Sequence, residues 1–421
     1  MNKEKIKYVT LSQIVKRVKV GFVGSIEKFY CNKDDGILLL RTNNLTPLGI
    51  DYSNVKYVTK DFFEKNKKSQ LHKNDILIAR HGDNGKANIY ELDEEAQALN
   101  VVIIEPNNEK MSSTLIKYLF DSPYVKKQIS SSVSGSVQNV INTKQIENLE
   151  IPIFESINYK KIESILKNID NKIKLNNKIN SELENMAKII YDYWFLQFEF
   201  PNNEGKPYKS SGGKMVWNEE LKKEIPDGWE AKKLINYCSL KNGINYNNEE
   251  LSGEKYKIIN VRNISSSTLF INDSILDKIS ISSDIANKYT IDEDDILIAR
   301  SGTPGQVRII KSNENIIYSG FIIKCKVNEI RYKEYFVYVL KKIENSILNQ
   351  SNGSILKNIN QESLSNLTII IPSMECINNF NNKVIAIHNK IKNLMEENQE
   401  LISLRDYLLP LLMNGQIGFK D

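Results

Sequence analysis

The sequence is short of the residues that disulfide and metal chemistry require. Its four cysteines, Cys31, Cys238, Cys325 and Cys376, lie far apart and form no Cys-x-x-Cys pair. That spacing argues against a disulfide framework or a zinc knuckle. The three histidines, His72, His81 and His388, fall in no His-x-x-x-His or similar pattern, so no metal is expected. Long apolar runs are missing as well: stretches such as Ile37–Leu40 and Val101–Ile104 are far below the ~20 residues that cross a bilayer. The opening Met-Asn-Lys-Glu-Lys-Ile-Lys leads into no apolar signal core, and a soluble, cytoplasmic protein with no membrane partner is expected. Charge of one sign is scarce too. With 57 Lys+Arg against 52 Asp+Glu, the net +5 permits a nucleic-acid partner without demanding one. The chain shows no Gly-x-Gly-x-x-Gly, no Walker loop, no Asn-Pro-Pro-Tyr methyltransferase motif and no nucleophile elbow. No catalytic residue and no cofactor are therefore assigned to it.

What the chain does hold, it holds twice. Its 421 residues, 41% hydrophobic and 26% charged, suit a folded protein of several domains. Asn74-Asp-Ile-Leu-Ile-Ala-Arg80-His-Gly82-Asp-Asn-Gly85 recurs as Asp294-Asp-Ile-Leu-Ile-Ala-Arg300-Ser-Gly302-Thr-Pro-Gly305. Upstream, Leu38-Leu-Leu-Arg41-Thr-Asn-Asn-Leu45 corresponds to Ile258-Ile-Asn-Val-Arg262-Asn-Ile264. Downstream, Ser134-Gly-Ser136 followed by Ile151-Pro152 returns as Asn352-Gly-Ser354 followed by Ile371-Pro372. A period of roughly 220 residues is far longer than the ~20–50 of solenoid repeats, so this is a duplicated domain. Short β-branched runs at Ile37–Leu40, Ile76–Ala79, Val101–Ile104, Ile296–Ala299 and Ile369–Ile371 read as strands. Helical patterns near Thr114–Ile129 and Tyr332–Leu348 make each module mixed α+β.

Each copy ends in a long helical pattern. Ile162, Leu166, Ile169, Ile173, Leu183, Ala187 and Ile190 fall on alternating three- and four-residue steps, as do Phe380, Val384, Ile387, Ile391, Leu394, Leu401 and Leu408. These are seam positions of a coiled coil. A helix from about Ile157 to Phe198 would be ~60 Å long and reads as a spacer. Asn180 and Asn398 interrupt the two seams at the same heptad position. Buried, they would fix the register of the helix pair; rotated to the helix edge, they would simply be solvated. Pro201–Lys214, rich in Gly, Pro, Ser and Asn, reads as a linker that continues to Ile225-Pro-Asp-Gly-Trp229.

Three pairs of polar loops carry the candidate chemistry. Arg80, His81 and Lys86 follow the first Ile-Leu-Ile-Ala strand; Arg300, Ser301 and Gln306, with Arg308 just beyond, follow the second. Glycine lets backbone approach a phosphate, and arginine grips phosphate or the O6/N7 edge of guanine with two hydrogen bonds. A tight hairpin whose arginine pairs with a nearby carboxylate would give the same pattern. Arg41, Asn43 and Asn44, and Arg262 with Asn263, end apolar strands in matching register. Arg and Asn suit guanine and adenine edges, and they are also ordinary turn and cap residues. Gln138 and Asn139, and Lys357 and Asn358, sit in the third pair of loops. The frames match while the loop tips differ, as expected of one fold reading two different things. At the helix ends, Tyr191, Trp194 and Phe195, and Leu411 and Met413, are more apolar than exposed termini should be. They either pack on the neighbouring module or form a docking surface for partner helices.

These features together resemble the specificity subunits of type I restriction–modification systems. The resemblance covers nearly the whole chain and rests on two modules each followed by a long helix, on Ile225-Pro-Asp-Gly-Trp229, and on Leu404-Arg-Asp-Tyr-Leu-Leu-Pro-Leu-Leu-Met-Asn-Gly-Gln-Ile417. The first module lacks the Pro-x-Gly-Trp opening, having only Lys7–Leu11, so its start is trimmed or divergent. The implied fold is α+β: two similar target-recognition domains separated by two long antiparallel coiled-coil helices in a pseudo-twofold repeat. The implied layout is a recognition domain at 1–155, a spacer helix at 156–200, a linker at 201–228, a second recognition domain at 229–372, a second helix at 373–415 and a tail at 416–421. Each domain would read one half of a split, asymmetric double-stranded DNA target, and the helices would set the gap. Two modification (methyltransferase) subunits, supplying the S-adenosylmethionine chemistry, would dock on the helices through the apolar helix ends, and restriction subunits would join to cleave. Two other readings fit the duplication: a stand-alone two-headed DNA-binding regulator, and a protein-only scaffold.

Overall fold

The computed structural model describes residues 6–46, 49–81, 85–133, 140–154, 157–246, 253–311, 315–349 and 359–413. The chain divides into two units, one of Met1–Leu175 with Glu397–Asp421 and one of Asn176–Glu396. Each contains one α+β module and a part of both long helices.

In the first unit, a four-stranded antiparallel sheet runs in the order Ala87–Ile89, Ile76–Ala79, Val101–Pro106, Val15–Val20. All four residues of Ile76–Ala79 are buried, which explains their unbroken apolar run: both faces of this strand are covered. Asp75 opens the strand, its carboxylate accepting the backbone N–H of His72 at 2.9 Å, a turn-forming bond that fixes where extension begins. A second sheet places Ala96–Leu99 parallel to Gly36–Arg41. The second unit repeats this register. Val307 faces Ile298 as Ala87 faces Ile78, and Ile322 faces Ala299 as Val101 faces Ala79. Glu254–Ile259 lies parallel to Ile316–Tyr318 in the place of the parallel pair above. Asp295 repeats the turn, accepting from Asp292 N–H at 2.9 Å. The duplication read in the sequence is thus a duplication of hydrogen-bond register.

The long helices span Tyr159–Tyr191, continued by a π turn at Asp192–Leu196, and Met374–Met413, about 50 and 60 Å at 1.5 Å per residue. In the first unit their parts run antiparallel: Lys172 pairs with Glu397 and Asp170 with Arg405, while Ile162 and Leu166 share a core with Leu409, Leu412 and Met413. In the second unit Ala187, Tyr191 and Trp194 share a core with Phe380, Val384 and Ile391. The seam positions Ile162, Leu166, Ile173, Phe380, Val384 and Ile391 are all at most 2% exposed, as a coiled-coil period requires. Asn180 and Asn398 are buried as well and are not turned to a solvated edge.

Two regions differ from the sequence reading. The stretch at 201–228 is not all loop, because Met215–Asn218 and Lys223–Pro226 pair as an antiparallel hairpin. Phe200 stacks between Tyr208 and Trp229, with centroids 4.6 and 4.9 Å away, and this aromatic stack anchors the segment to the second unit. The first module has its opening strand although it lacks the Pro-x-Gly-Trp phrase. Ile6–Thr10 pairs antiparallel with Glu150–Phe154, as Glu230–Lys233 pairs with Thr368–Ile371.

Candidate nucleic-acid interface

At the end of the buried Ile76–Ala79 strand, Gly85 N–H donates to Ala79 O at 3.3 Å and Ala79 N–H to Lys86 O at 3.1 Å, closing a tight loop. Gly85 has φ +85°, and a Cβ there would meet Ile129 Cδ1 at 2.8 Å, so the position requires glycine on both counts. Arg80 is clamped at this loop: its carbonyl accepts from Ile141 N–H at 3.2 Å and its Nε donates to Ile141 O at 3.1 Å. Among the described residues, no acceptor takes its terminal guanidinium nitrogens. Parallel pairing of Leu99 with Arg41 brings the second candidate loop to the same strand-end edge. There Thr42 Oγ1 donates to Asn100 O at 2.8 Å, and Asn100 N–H donates to Phe22 O at 3.0 Å.

The second unit builds the same frame with different side chains. Gly305 N–H donates to Ala299 O and Ala299 N–H to Gln306 O, both at 2.9 Å, and Ile359 N–H donates to Arg300 O at 3.2 Å. Arg300 Nη1 donates to Gly320 O at 3.1 Å and its backbone N–H to Phe321 O at 2.9 Å. Phe321 itself is 61% exposed, an aromatic ring presented beside Arg300 that no repeat or motif flagged. Gly302, at φ +73°, lies against the Val261–Ser266 helix, where a Cβ would stand 3.0 Å from Val261 Cγ1. The Arg300 and Arg262 loops are therefore neighbours, as the Arg80 and Arg41 loops are in the first unit.

The remaining candidates sort by burial. His81 and Asn43 are exposed, and Lys86, Ser301 and Gln306 are half-buried. Arg41 donates through Nη2 to Asn54 O at 3.0 Å, and exposed Arg262 forms an ion pair with Asp277. Asn44 and Asn263 are each 2% exposed, which removes them as base readers. Asn44 accepts from Arg41 N–H and donates to Asp51 and Asn54 carbonyls, and Asn263 accepts from Asn260 N–H at 2.8 Å. Their amides are spent on their own turns. Arg308 is also a strut: it is 6% exposed, donates to the carbonyls of Ser267 and Val307 at 2.8 and 2.7 Å, and lies 3.4 Å from Glu344. Gln138, Asn139, Lys357 and Asn358 lie outside the described residues.

Of the apolar helix-end candidates, Tyr191, Trp194, Phe195 and Met413 are corrected. Tyr191, Trp194 and Phe195 are at most 5% exposed and belong to the core of the second unit, where Phe195 lies 4.7 Å from Tyr335, 5.0 Å from Phe380 and 5.9 Å from Trp229. Met413 is buried in the core of the first unit, and Leu411 is half-buried. The exposed apolar side chains lie on another face of the same helices. Met186, Ile189 and Tyr193 are 54%, 56% and 39% exposed, and Leu404 and Tyr407 are 45% and 66% exposed. The three- and four-residue spacing puts each group on one helical stripe. Leu404, Tyr407 and Leu411 stand where Met186, Ile189 and Tyr193 stand when Asn398 is laid on Asn180. That spacing was available in the sequence, hidden beside a more strongly apolar run.

A polar latch, half-buried in the first unit and buried in the second, ties module to helix in each unit. In the first, Tyr118 OH donates to Asp170 Oδ2 at 2.8 Å, with Lys117 at 3.2 Å and Arg405 at 3.0 Å from the same carboxylate. Burial alone would push Asp170 up, but Lys117, Tyr118 and Arg405 outweigh it and hold the carboxyl below its usual range. In the second, Tyr338 OH and His388 Nε2 are 2.8 Å apart and His388 Nδ1 lies 2.7 Å from Glu334 Oε2. Burial again pushes upward, yet His388 and Lys333 bring Glu334 down to about 2. The latches have opposite polarity: the long helix that meets the module tyrosine supplies an acid in the first and a histidine in the second.

Comparison with known proteins agrees with this architecture. Residues 39–185 and 226–397 match the type I restriction modification DNA specificity domain. The MjaIX specificity subunit of Methanocaldococcus jannaschii is 26% identical over 316 residues, covering 73% of this chain and 70% of that protein. The HindI specificity subunit of Haemophilus influenzae is 24% identical over 413 residues, covering 83% and 88%. The crystal structure of a type I restriction–modification S subunit from M. genitalium shares the fold, with a TM-score of 0.51 and 14% identity over 100% of this chain and 98% of that one. Two copies of one module, each ending its central strand in a clamped arginine loop, and a family match falling on both copies lead to one conclusion: the chain belongs to the type I restriction–modification DNA specificity family.

Proposed function

We propose that the chain is the DNA-reading subunit of a type I restriction–modification complex, each unit reading one half of a split target. The observation that carries this is the pair of matched loop frames with unmatched contents. Arg80 and Arg300 are held by the same backbone bonds, to Ile141 and Ile359, while His81 and Lys86 in one loop correspond in sequence to Ser301 and Gln306 in the other. A shared frame fixes how the loop meets the duplex, and its side chains choose the bases. Phe321, exposed beside Arg300, offers the second unit an apolar contact for a thymine methyl group or a base step. The long helices act as the spacer that sets the gap between half-sites.

Methylation and cleavage belong to partner subunits in this reading, with S-adenosylmethionine held by the methyltransferase. The stripe of Met186, Ile189 and Tyr193, and its repeat at Leu404, Tyr407 and Leu411, would receive two methyltransferase subunits, since exposed apolar patches of this kind mark interaction surfaces. Placing the same stripe twice suits two copies of one partner. The test is reconstitution with the methyltransferase subunit and S-adenosylmethionine on randomised duplex DNA. Methylated products should share two short motifs at a fixed separation. A single contiguous motif, or sequence-independent methylation, would overturn the reading.

A further inference from the structure

At the strand-end edge the two units share their hydrogen-bond register until one residue breaks it. In the first unit Phe22 N–H donates to Ala98 O at 2.8 Å and Asn100 N–H to Phe22 O at 3.0 Å. In the second, Ile244 N–H donates to Tyr318 O at 2.9 Å and Gly320 N–H to Ile244 O at 2.7 Å. On the neighbouring strand Gly21 N–H reaches Val101 O and Gly243 N–H reaches Ile322 O, at 2.8 and 3.1 Å. Asn100 therefore matches Gly320, and Val101, opposite Ala79, matches Ile322, opposite Ala299. Val101 follows Asn100 directly, whereas Phe321 stands between Gly320 and Ile322. Phe321 is a one-residue insertion in the second unit.

The backbone of the insertion is pinned while its ring is left outside. Ile322 N–H closes a turn on Ser319 O at 3.0 Å. Arg300 holds the carbonyls of both residues in the turn, through Nη1 to Gly320 O at 3.1 Å and through its backbone N–H to Phe321 O at 2.9 Å. Tyr318 and Ile322, on either side, are fully buried, yet Phe321 is 61% exposed. An extra residue in a strand pairing re-aims a side chain, and such insertions gather beside functional sites. A single exposed ring is ordinary on a protein surface. This one differs because the arginine of the candidate recognition loop locks the turn beneath it, so the backbone cannot yield when the ring meets a surface.

We infer that Phe321 is a wedge, entering the duplex between two base pairs of the half-site read by the second unit, at a pyrimidine–purine step. The inference rests on the reading of the chain as a DNA-reading subunit. Apolar wedges partly unstack a base step and kink the duplex, and the steps that yield most readily are TA and CA/TG. Sequence at that step is then selected by deformability, without a hydrogen bond to a base edge. Touching a thymine methyl group in the groove displaces no stacked base and needs no locked turn. In the first unit Asn100 joins Val101 directly, so no residue stands at this place and that half-site is read without the wedge.

The test uses the full chain assembled with the proposed methyltransferase partner. A randomised duplex library first yields the split site. Duplexes carrying that site, with 2-aminopurine at successive positions, are then bound by the parent, Phe321→Ala and Phe321→Leu assemblies, whose folding is checked by circular dichroism melts. With the parent, fluorescence should rise several-fold at one pyrimidine–purine step of one half-site. The rise should vanish with Phe321→Ala and persist with Phe321→Leu, which keeps an apolar wedge. Preference for a pyrimidine–purine over a purine–purine step there should fall about ten-fold in Phe321→Ala, with the other half-site unchanged. A base extruded for methylation fluoresces as well, but that signal survives Phe321→Ala and is told apart by it. A split site whose fluorescence and base preferences are the same for parent and Phe321→Ala would overturn the wedge and leave half-site reading intact. A chain that selects no split site would overturn both.

Discussion

Replacing Phe195 and Tyr193 separately divides the core from the proposed docking surface within one turn of helix. Phe195 is 2% exposed and its ring packs on Tyr335, Phe380 and Trp229. Truncation to alanine removes an aromatic side chain from a closed core and leaves a cavity, at a cost of about 3–5 kcal/mol. For a folding unit of this size each kcal/mol lowers the melting temperature by roughly 2–4 °C, so a drop of about 6–20 °C is expected in the transition of the second unit. Tyr193, two residues earlier and 39% exposed, should tolerate alanine within about 0.5 kcal/mol. Binding of the methyltransferase subunit should behave oppositely: Tyr193→Ala weakens it at least ten-fold while melting like the parent. The assay pairs differential scanning calorimetry with titration of the isolated partner. A Phe195→Ala protein that melts at the parental temperature and fails only to bind the partner would refute the reasoning, since it would make Phe195 the docking residue.

Other consequences are equally concrete. Arg308→Ala should destabilise the second unit by about 3–5 kcal/mol, because it strands the Glu344 carboxylate, which is 12% exposed; a melting curve unchanged by the substitution would return Arg308 to the list of base readers. Glu334, held at about 2 against an ordinary 4.5, favours the folded state by roughly 3 kcal/mol above the ordinary value. Since its folded value is the lower one, that contribution is lost as pH falls from about 4.5 towards 2, and Glu334→Gln should flatten this part of the acid-unfolding curve. Among the described residues the buried Asn180 Oδ1 has no partner, so Asn180→Leu should raise the melting temperature, by the equivalent of about 1–3 kcal/mol. A decrease would mean that the amide contributes net stability at the seam.

Much of this architecture was legible in the sequence because it rests on period and repetition. The Ile-Leu-Ile-Ala runs announced themselves as strands, and the three- and four-residue steps of Ile162–Ile173 and Phe380–Ile391 marked the inward face of each helix. Side-chain commitments were harder to read. Asn44 and Asn263 look like base readers from composition, but a short amide beside its own turn is captured by the nearest backbone N–H. Arg308 looks like a surface cation until strand pairing carries it beneath Ser267 and beside Glu344. Tyr191, Trp194 and Phe195 form an apolar run whose composition is the same whether it docks a partner or fills a core, and only the aromatic residues Tyr335, Tyr338 and Phe380, brought from far along the chain, decide. The hairpin at Met215–Pro226 was masked by the glycines and serines that precede it.

The central claim is that the two units read DNA independently, and base-preference profiling of a single loop variant tests it most directly. The Arg300→Ala chain, assembled with the proposed methyltransferase partner, would be profiled on the randomised duplex library alongside the parent. Preference should fall at one half-site, by roughly 1–3 kcal/mol at the affected base pair, with the other half-site and the gap unchanged. Equal loss in both halves, or an unaltered profile, would contradict the account.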